Sequence, residues 1–237
     1  MTFLTLLNIL LAKANRQLIR PRSRIIMGHD WVMDARRFLG AKATGAILDV
    51  GANCGQTTKP LAKAFPELPV HCLEPNNALH AKIKERVSFH NNLHVHCCGA
   101  GAEDAEMPFF KSTKHESNSF HQEWSHRHGT ATDTEMVPVH RIDTFCAKNN
   151  IPLVSVLKIN AEGFDFKVLQ GAEPMLNAKT IQTVYVEVSF GAEASESGRC
   201  GDYLNFMESH GYRLLGLFQT AHSKEGCIKW GNLLFGA

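Results

Sequence analysis

The run Ile47-Leu-Asp-Val-Gly-Ala-Asn-Cys-Gly-Gln-Thr57 constrains this chain more than any other segment. Ile47 to Val50 reads as a short buried strand that passes through a glycine-bearing turn into a helix. Gly51 and Gly55 withdraw two side chains where the backbone must bend and a ligand must come close. A helix starting near Gly55 aims unpaired N–H groups at whatever lies over the turn. One strand later, His71-Cys-Leu-Glu-Pro75 sets the carboxylate of Glu74 at a second strand end. A glycine turn followed by an acid is how an α/β sheet holds a nucleoside: backbone lies against base and sugar, and the carboxylate takes the ribose hydroxyls.

The spacing discriminates among nucleoside cofactors. A diphosphate needs bare backbone at the helix start, hence G-x-G-x-x-G. Here the third position from Gly51 is Asn53 and the sixth is Gln56, so that pattern fails. S-adenosylmethionine (SAM) has no phosphates and carries an amino-acid tail and a sulfonium. It needs less clearance and more polar contacts, and Asp49, Asn53 and Glu74 suit it better than they suit NAD.

At 237 residues, with 44% hydrophobic and 20% charged residues, the chain has ample material for a core. A formal charge of +2 gives no basic stripe and argues against a dedicated nucleic-acid binder. Seven cysteines, odd in number and without C-x-x-C pairs, read as reduced thiols of a cytoplasmic protein. Phe3 to Ala12 is apolar but too short to span a bilayer, and its positive charges follow it. It reads as an amphipathic helix packed on the domain or capping the cofactor site; the alternative is a weak membrane-surface contact.

After an N-terminal helical extension over residues 1–40, residues 41–237 alternate strands and helices, the pattern of a doubly wound α/β sheet. Strands are expected at Ile47–Val50, Val70–Leu73, Leu93–Cys98, Val154–Ile159 and Thr183–Val188, with a closing antiparallel pair at Tyr212–Phe218 and Cys227–Phe235. Helices are expected at Gln56–Phe65, Asn76–Val87, Asp143–Lys148, Gly163–Leu176 and Asp202–His210. Short strands Met107–Phe110 and Met136–His140 flank a polar loop, Lys111 to Glu135. That loop carries His115, His121, His126 and His128, in no spacing known for metal ligands, so no metal is expected. It reads as an acceptor-binding lid, with Phe120 and Trp124 as stacking faces.

A second constellation, Leu157-Lys-Ile-Asn-Ala-Glu-Gly-Phe164, puts Lys158, Asn160 and Glu162 at the carboxyl end of a central strand. That edge of a parallel sheet is where ligands bind. With this segment the chain resembles the FkbM-type methyltransferases. The shared features are Asp49-Val-Gly-Ala-Asn-Cys-Gly55, Glu74-Pro75, Val139-His-Arg-Ile-Asp143, the Leu157 segment through Val168-Leu169-Gln-Gly-Ala172, and Val186-Glu187-Val188.

The resemblance implies a Rossmann-like sheet of seven strands and SAM-dependent O-methyl transfer to a hydroxyl of a small molecule or glycan. It implies a cofactor site built from Asp49, Gly51, Asn53, Gly55, Thr57, Glu74 and Gly99, and a catalytic region of Lys158, Asn160, Glu162, Glu187 and His140. Glu162, Glu187 and His140 are alternative proton acceptors, and Lys158 is either catalytic or ion-paired to a carboxylate. The family usually has aspartate where this chain has Asn160; asparagine keeps an acceptor but loses the charge and gains donors. A SAM-binding protein without turnover is therefore a second reading. A third is an NAD-binding oxidoreductase, which the missing third glycine disfavours.

Overall fold

A computed structural model describes residues 28–113, 117–122, 131–191 and 198–237. In chain order the elements are α1 (Trp31–Leu39), β1 (Ala46–Val50), α2 (Thr58–Ala64), β2 (Val70–Leu73), α3 (His80–Arg86), β3 (Leu93–His96), β4 (Gly99–Ala100), β5 (Ala105–Ser112) and β6 (Ala131–His140). They continue with α4 (Ile142–Lys148), β7 (Val154–Ile159), α5 (Asp165–Gly171), α6 (Glu173–Asn177), β8 (Ile181–Ser189), α7 (Cys200–Ser209), β9 (Arg213–His222) and β10 (Ile228–Gly236). Seven strands form one sheet in the order β3-β2-β1-β7-β8-β10-β9, and β4-β6-β5 form a smaller one. Strands β1, β2, β3, β7 and β8 pair in parallel, while β10 runs antiparallel to both its neighbours. Among the described residues no helix is long and apolar enough to cross a membrane.

The two central strands are buried along their whole length, as expected where helices cover both faces of a parallel sheet. Successive residues feed opposite cores. Leu48, Leu157, Ile159, Val186 and Phe235 enter one, while Ile47, Val156, Tyr185 and Leu234 enter the other with α1. Trp31 of α1 stacks on Tyr185 at 3.7 Å. Asp30 caps that helix, accepting from the N–H groups of Val32 and Met33.

After β1 the chain builds outward through β2 and β3, then returns to lay β7 on the other side of β1. Connections leaving β1 and β7 therefore diverge, which opens a crevice at their carboxyl ends. The glycine turn follows β1 and Asn160 follows β7, so both expected constellations reach that crevice.

Several boundaries differ from the sequence expectation. Helix α2 begins at Thr58, because residues 51–57 are used by the turn, where the Gln56 side chain accepts from the Cys54 N–H. The expected Gly163–Leu176 helix is two helices, since Pro174 has no N–H to continue the ladder and sits in the first turn of α6. Strand β3 stops at His96, and Gly99–Ala100 leave to pair with β6. The hairpin of β5 and β6 is longer than the short strands expected, so both ends of the supposed lid are strand. Asp143 lies in the first turn of α4, held by Arg141 at 2.9 Å, and does not cap it.

On the outer strands His71 pairs in register with His94, and the His71 and His96 rings share a nitrogen–nitrogen contact of 3.2 Å. Burial, reinforced by the neighbouring imidazoles, pushes His71 down from 6.5 to about 4. His96 is lowered for the same reasons. Folded His71 thus stays neutral where the unfolded chain takes up a proton, so stability falls as pH drops from about 6.5 to about 4. Thermal unfolding across that window is expected to show a falling Tm, and a shallower fall in His71→Phe.

Candidate active site

The turn after β1 is held from both sides. Gly51 donates to the Leu73 carbonyl at 2.9 Å, and Asn160 donates to the Val50 carbonyl at 3.1 Å. Gly51 has φ of +69°, and a Cβ there would lie 1.8 Å from the Asn160 carbonyl oxygen. No other residue fits, because the end of β7 lies directly against the turn. The Glu74 carboxylate completes the clamp, with one oxygen accepting from Asn53 N–H and the other from Asn76 N–H, both at 2.8 Å. Burial raises the Glu74 carboxyl above its ordinary range, against the pull of those two N–H groups. Each oxygen keeps a further lone-pair position.

Beneath the turn lies a buried ion pair. Asp49 and Lys158 are register partners on β1 and β7, with Lys158 Nζ 2.8 Å from Asp49 Oδ1. The same ammonium donates to the Val50 and Gly51 carbonyls at 3.2 and 2.9 Å. Thr58 donates to the other Asp49 oxygen at 2.7 Å. Asp49, expected to touch the cofactor, instead turns below the turn because Lys158 and Thr58 both claim its oxygens. Lys158 forms part of the cavity wall, but its three donors are directed at Asp49 and the turn. Of the two expectations for Lys158, the ion pair to a carboxylate is the one the geometry displays.

Above the turn a cavity of about 150 Å³ opens. Of the expected cofactor residues, Gly51, Asn53, Thr57, Glu74 and Gly99 line it, and Asn160 and Glu162 join them from the β7 side. Gly55 lies behind the turn, against Ile83 of α3. Phe109 and Asn118 also line the cavity and escaped the sequence reading; Gln56, Pro75 and Phe120 line it too, and that reading did not assign them to the cofactor. Asn160 Oδ1 is buried with no hydrogen-bond partner among the described residues, an acceptor left for a ligand.

Phe120 is not a stacking face on a lid. It is buried between Phe109 and Phe164, at centroid distances of 5.0 and 5.4 Å, and its ring lies 2.5 Å from where a Cβ on Gly99 would be. Ser119 ties this segment to the site by donating to the Glu162 carbonyl at 2.8 Å. Asp165, another residue the sequence reading missed, accepts from Ala161 and Gly163 N–H and shapes the turn in which Glu162 has φ of +49°. An acid two residues after a glycine at a helix start was the available signal.

The three expected proton acceptors separate. Glu162 lies at the cavity. Glu187, half-buried at the carboxyl end of β8, is one strand over from Asn160. Burial pushes it up to about 7, Asp165 adds to the rise, and Lys158 opposes it. His140 is a correction: its Nδ1 lies 3.0 Å from Asp104 on the smaller sheet, and it lines a different depression with His96 and Lys148. Strand β6 carries it away because its Ala100–His140 pairing belongs to the second sheet. His115, Trp124, His126 and His128, like Phe3 to Ala12, lie outside the described residues. Among the described residues no three His, Cys, Asp or Glu side chains are grouped to hold a metal ion.

Removing the Lys158 ammonium leaves Asp49 buried and uncompensated. Lys158→Ala is expected to lose about 3–5 kcal/mol in urea unfolding, with Lys158→Met plus Asp49→Asn recovering much of it.

The family description "Methyltransferase FkbM domain" matches residues 49–214. Methyltransferase 1 of Beauveria bassiana (strain ARSEF 2860) is 26% identical over 144 residues, 54% of this chain and 58% of that protein. The match thus spans little more than half of the relative's length. Among solved structures, an rRNA methylase from Streptococcus thermophilus aligns with a TM-score of 0.49 at 11% identity, covering 89% of this chain and 98% of that one. A precorrin-6y C5,15-methyltransferase from Geobacter metallireducens GS-15 aligns at 0.45 with 8% identity, covering 92% and 93%. With its glycine turn, acid and β7 segment all inside the matched span, the chain belongs to the FkbM methyltransferase domain family.

Proposed function

We propose that this methyltransferase moves a methyl group from SAM to a hydroxyl of a small molecule or glycan, with Glu187 accepting the hydroxyl proton. The observation that carries the reading is one sheet edge holding both a glycine-turn cavity closed by Glu74 and, one strand from Asn160, a carboxyl group near neutrality. The residues present fit SAM. Glu74 has lone pairs left for ribose hydroxyls, the turn offers backbone without phosphate-sized clearance, and Asn160 Oδ1 awaits a donor such as an ammonium. Gly99 and Ala100 offer backbone and small side chains to a flat base, beside Phe120.

Bound SAM supplies an electrophilic methyl group on a sulfonium. The chain's own part is alignment, exclusion of water and custody of one proton. With SAM held over the turn by Glu74 and Asn160 as methyl donor, its sulfur keeping the electron pair of the carbon–sulfur bond, a Glu187 oxygen would take the proton of the acceptor hydroxyl. A carboxylate whose conjugate acid sits near 7 is a better base than an ordinary one and is still largely ionised above neutrality. Glu162 has the nearer position, but Glu187 has the environment of a base. Asn160, standing where the family usually has an acid, favours a second reading of cofactor binding without turnover.

Calorimetry and a labelled-methyl assay separate the two. Micromolar binding of SAM and S-adenosylhomocysteine is expected, lost in Glu74→Ala. Turnover on a panel of methyl glycosides and phenols is expected to rise with pH to a plateau above about 7. Glu187→Gln is expected to lower kcat by about a hundredfold or more with SAM affinity unchanged. Binding without turnover on any hydroxyl acceptor would select the second reading, and absence of SAM binding would overturn both.

A further inference from the structure

The cofactor cavity leaves part of the carboxyl edge unused. Strand β10 pairs with β8 so that Asn232 lies opposite Glu187 and Trp230 opposite Ser189. Opposed residues of an antiparallel pair share a face, and side chains alternate along each strand. Glu187, Ser189, Trp230 and Asn232 therefore project on the face where Tyr185 stacks with Trp31. On β7 the same face carries Lys158, the register partner of Tyr185, and two residues later Asn160. One row thus runs from Asn160 at the cavity, past Glu187, to Asn232 and Trp230.

The row has the makings of a recognition surface. Asn232 is buried, yet neither its carboxamide nor the Glu187 carboxyl hydrogen-bonds to another described residue. Trp230, at the row's outer end, is 42% exposed, and Phe190, just past the end of β8, is 38% exposed. Phe190 directly follows the last residue of β8, and its N–H donates to the carbonyl of Lys229, the residue before Trp230, at 2.9 Å. A large indole left in water on the same face as two polar side chains is a poor use of a core residue. It is a suitable platform for a ring that is apolar on its face and polar at its rim. The row's single cation, Lys158, is committed to Asp49 and two carbonyls, so nothing in it favours a phosphate or carboxylate on the ligand.

We infer that Trp230 and Asn232 form the acceptor subsite: a neutral hydroxylated ring stacks on the Trp230 indole while the Asn232 carboxamide turns one ring hydroxyl toward Glu187. This assignment rests on the proposed methyl transfer, and adds which residues choose the acceptor and which ring chemistry they take. Trp230 and Asn232 are positioning residues, since neither handles the methyl group or the proton. A saccharide ring and a hydroxylated aromatic ring satisfy the same stacking and hydrogen bonding, and the test separates them.

The test uses the full chain, saturated with S-adenosylhomocysteine, and two probes: methyl β-D-glucopyranoside and catechol. Tryptophan fluorescence is expected to change saturably with one of them, and which one names the source of the ring. Trp230→Ala is expected to weaken that binding about tenfold or more, Trp230→Phe to retain part of it, and Phe190→Ala to weaken it less. In turnover, Trp230→Ala is expected to raise acceptor KM with kcat little changed, and S-adenosylhomocysteine affinity is expected to stay within about twofold. Failure of the wild type to bind either probe, or equal binding by Trp230→Ala, would overturn the subsite. Loss of S-adenosylhomocysteine binding by the wild type, with Trp230-dependent probe binding intact, would instead overturn the methyltransfer reading.

Discussion

The ion pair between Asp49 and Lys158 underlies the rest of the site. It joins β1 to β7 at the point where the chain reverses its direction across the sheet. Two charges removed from water stabilise a fold only when their remaining hydrogen-bonding capacity is met. Here Thr58 takes the second carboxylate oxygen and two turn carbonyls take the remaining ammonium donors. Those carbonyls belong to Val50 and Gly51, so the pair sets the path of the glycine turn. The turn's path in turn fixes where Asn53 N–H meets Glu74. A ligand laid on this turn rests on backbone whose position is set by electrostatics one layer below it.

This arrangement accounts for what the sequence showed and what it hid. The glycine turn and Glu74 were legible because each is a local pattern, a strand followed by residues only a bend or a ligand would require. Strands β1, β2, β7 and β8 were legible from their apolar runs. The Asp49–Lys158 pairing was not, because it comes from the parallel register of β1 and β7, which no local spacing encodes. His140 looked as plausible as Glu187, each a titratable group at a strand end. Only the division into two sheets sends one to Asp104 and brings the other beside Asn160. The β5–β6 hairpin was underestimated because polar positions such as Glu106, Lys111, Asp133 and Glu135 resemble loop. They are strand positions of a two-stranded ribbon, where Lys111 pairs in register with Asp133 and bridges Glu135 at 2.5 Å.

The aromatic residues show how function divides along the carboxyl edge. Phe109, Phe120 and Phe164 form a small core of their own that walls the cofactor cavity, and Ser119 anchors it to Glu162. Their role is enclosure, since a water-poor site strengthens every charge interaction in it. Trp230 and Phe190 lie at the other end of the same edge and remain exposed. One edge thus has a closed half walled by buried rings and an open half where large aromatics meet water.

Asn160 stands between these halves, and its lack of charge matters for both. Asp165 already raises Glu187, and Glu74 lies across the cavity with its own carboxyl raised by burial. Lys158 is the cation that counters this group, and it is shared with Asp49. An aspartate at position 160, one residue beyond the Ile159–Val186 register pair, would add a negative charge next to Glu187. Like charges that close favour the protonated form of one partner, so Glu187 would hold its proton further above neutrality and be a base only in alkaline solution. With asparagine there, the acceptor oxygen that a ligand can use is kept and the carboxyl of Glu187 stays near 7. On this electrostatic argument the uncharged residue at position 160 leaves Glu187 less crowded by like charge than an aspartate there would.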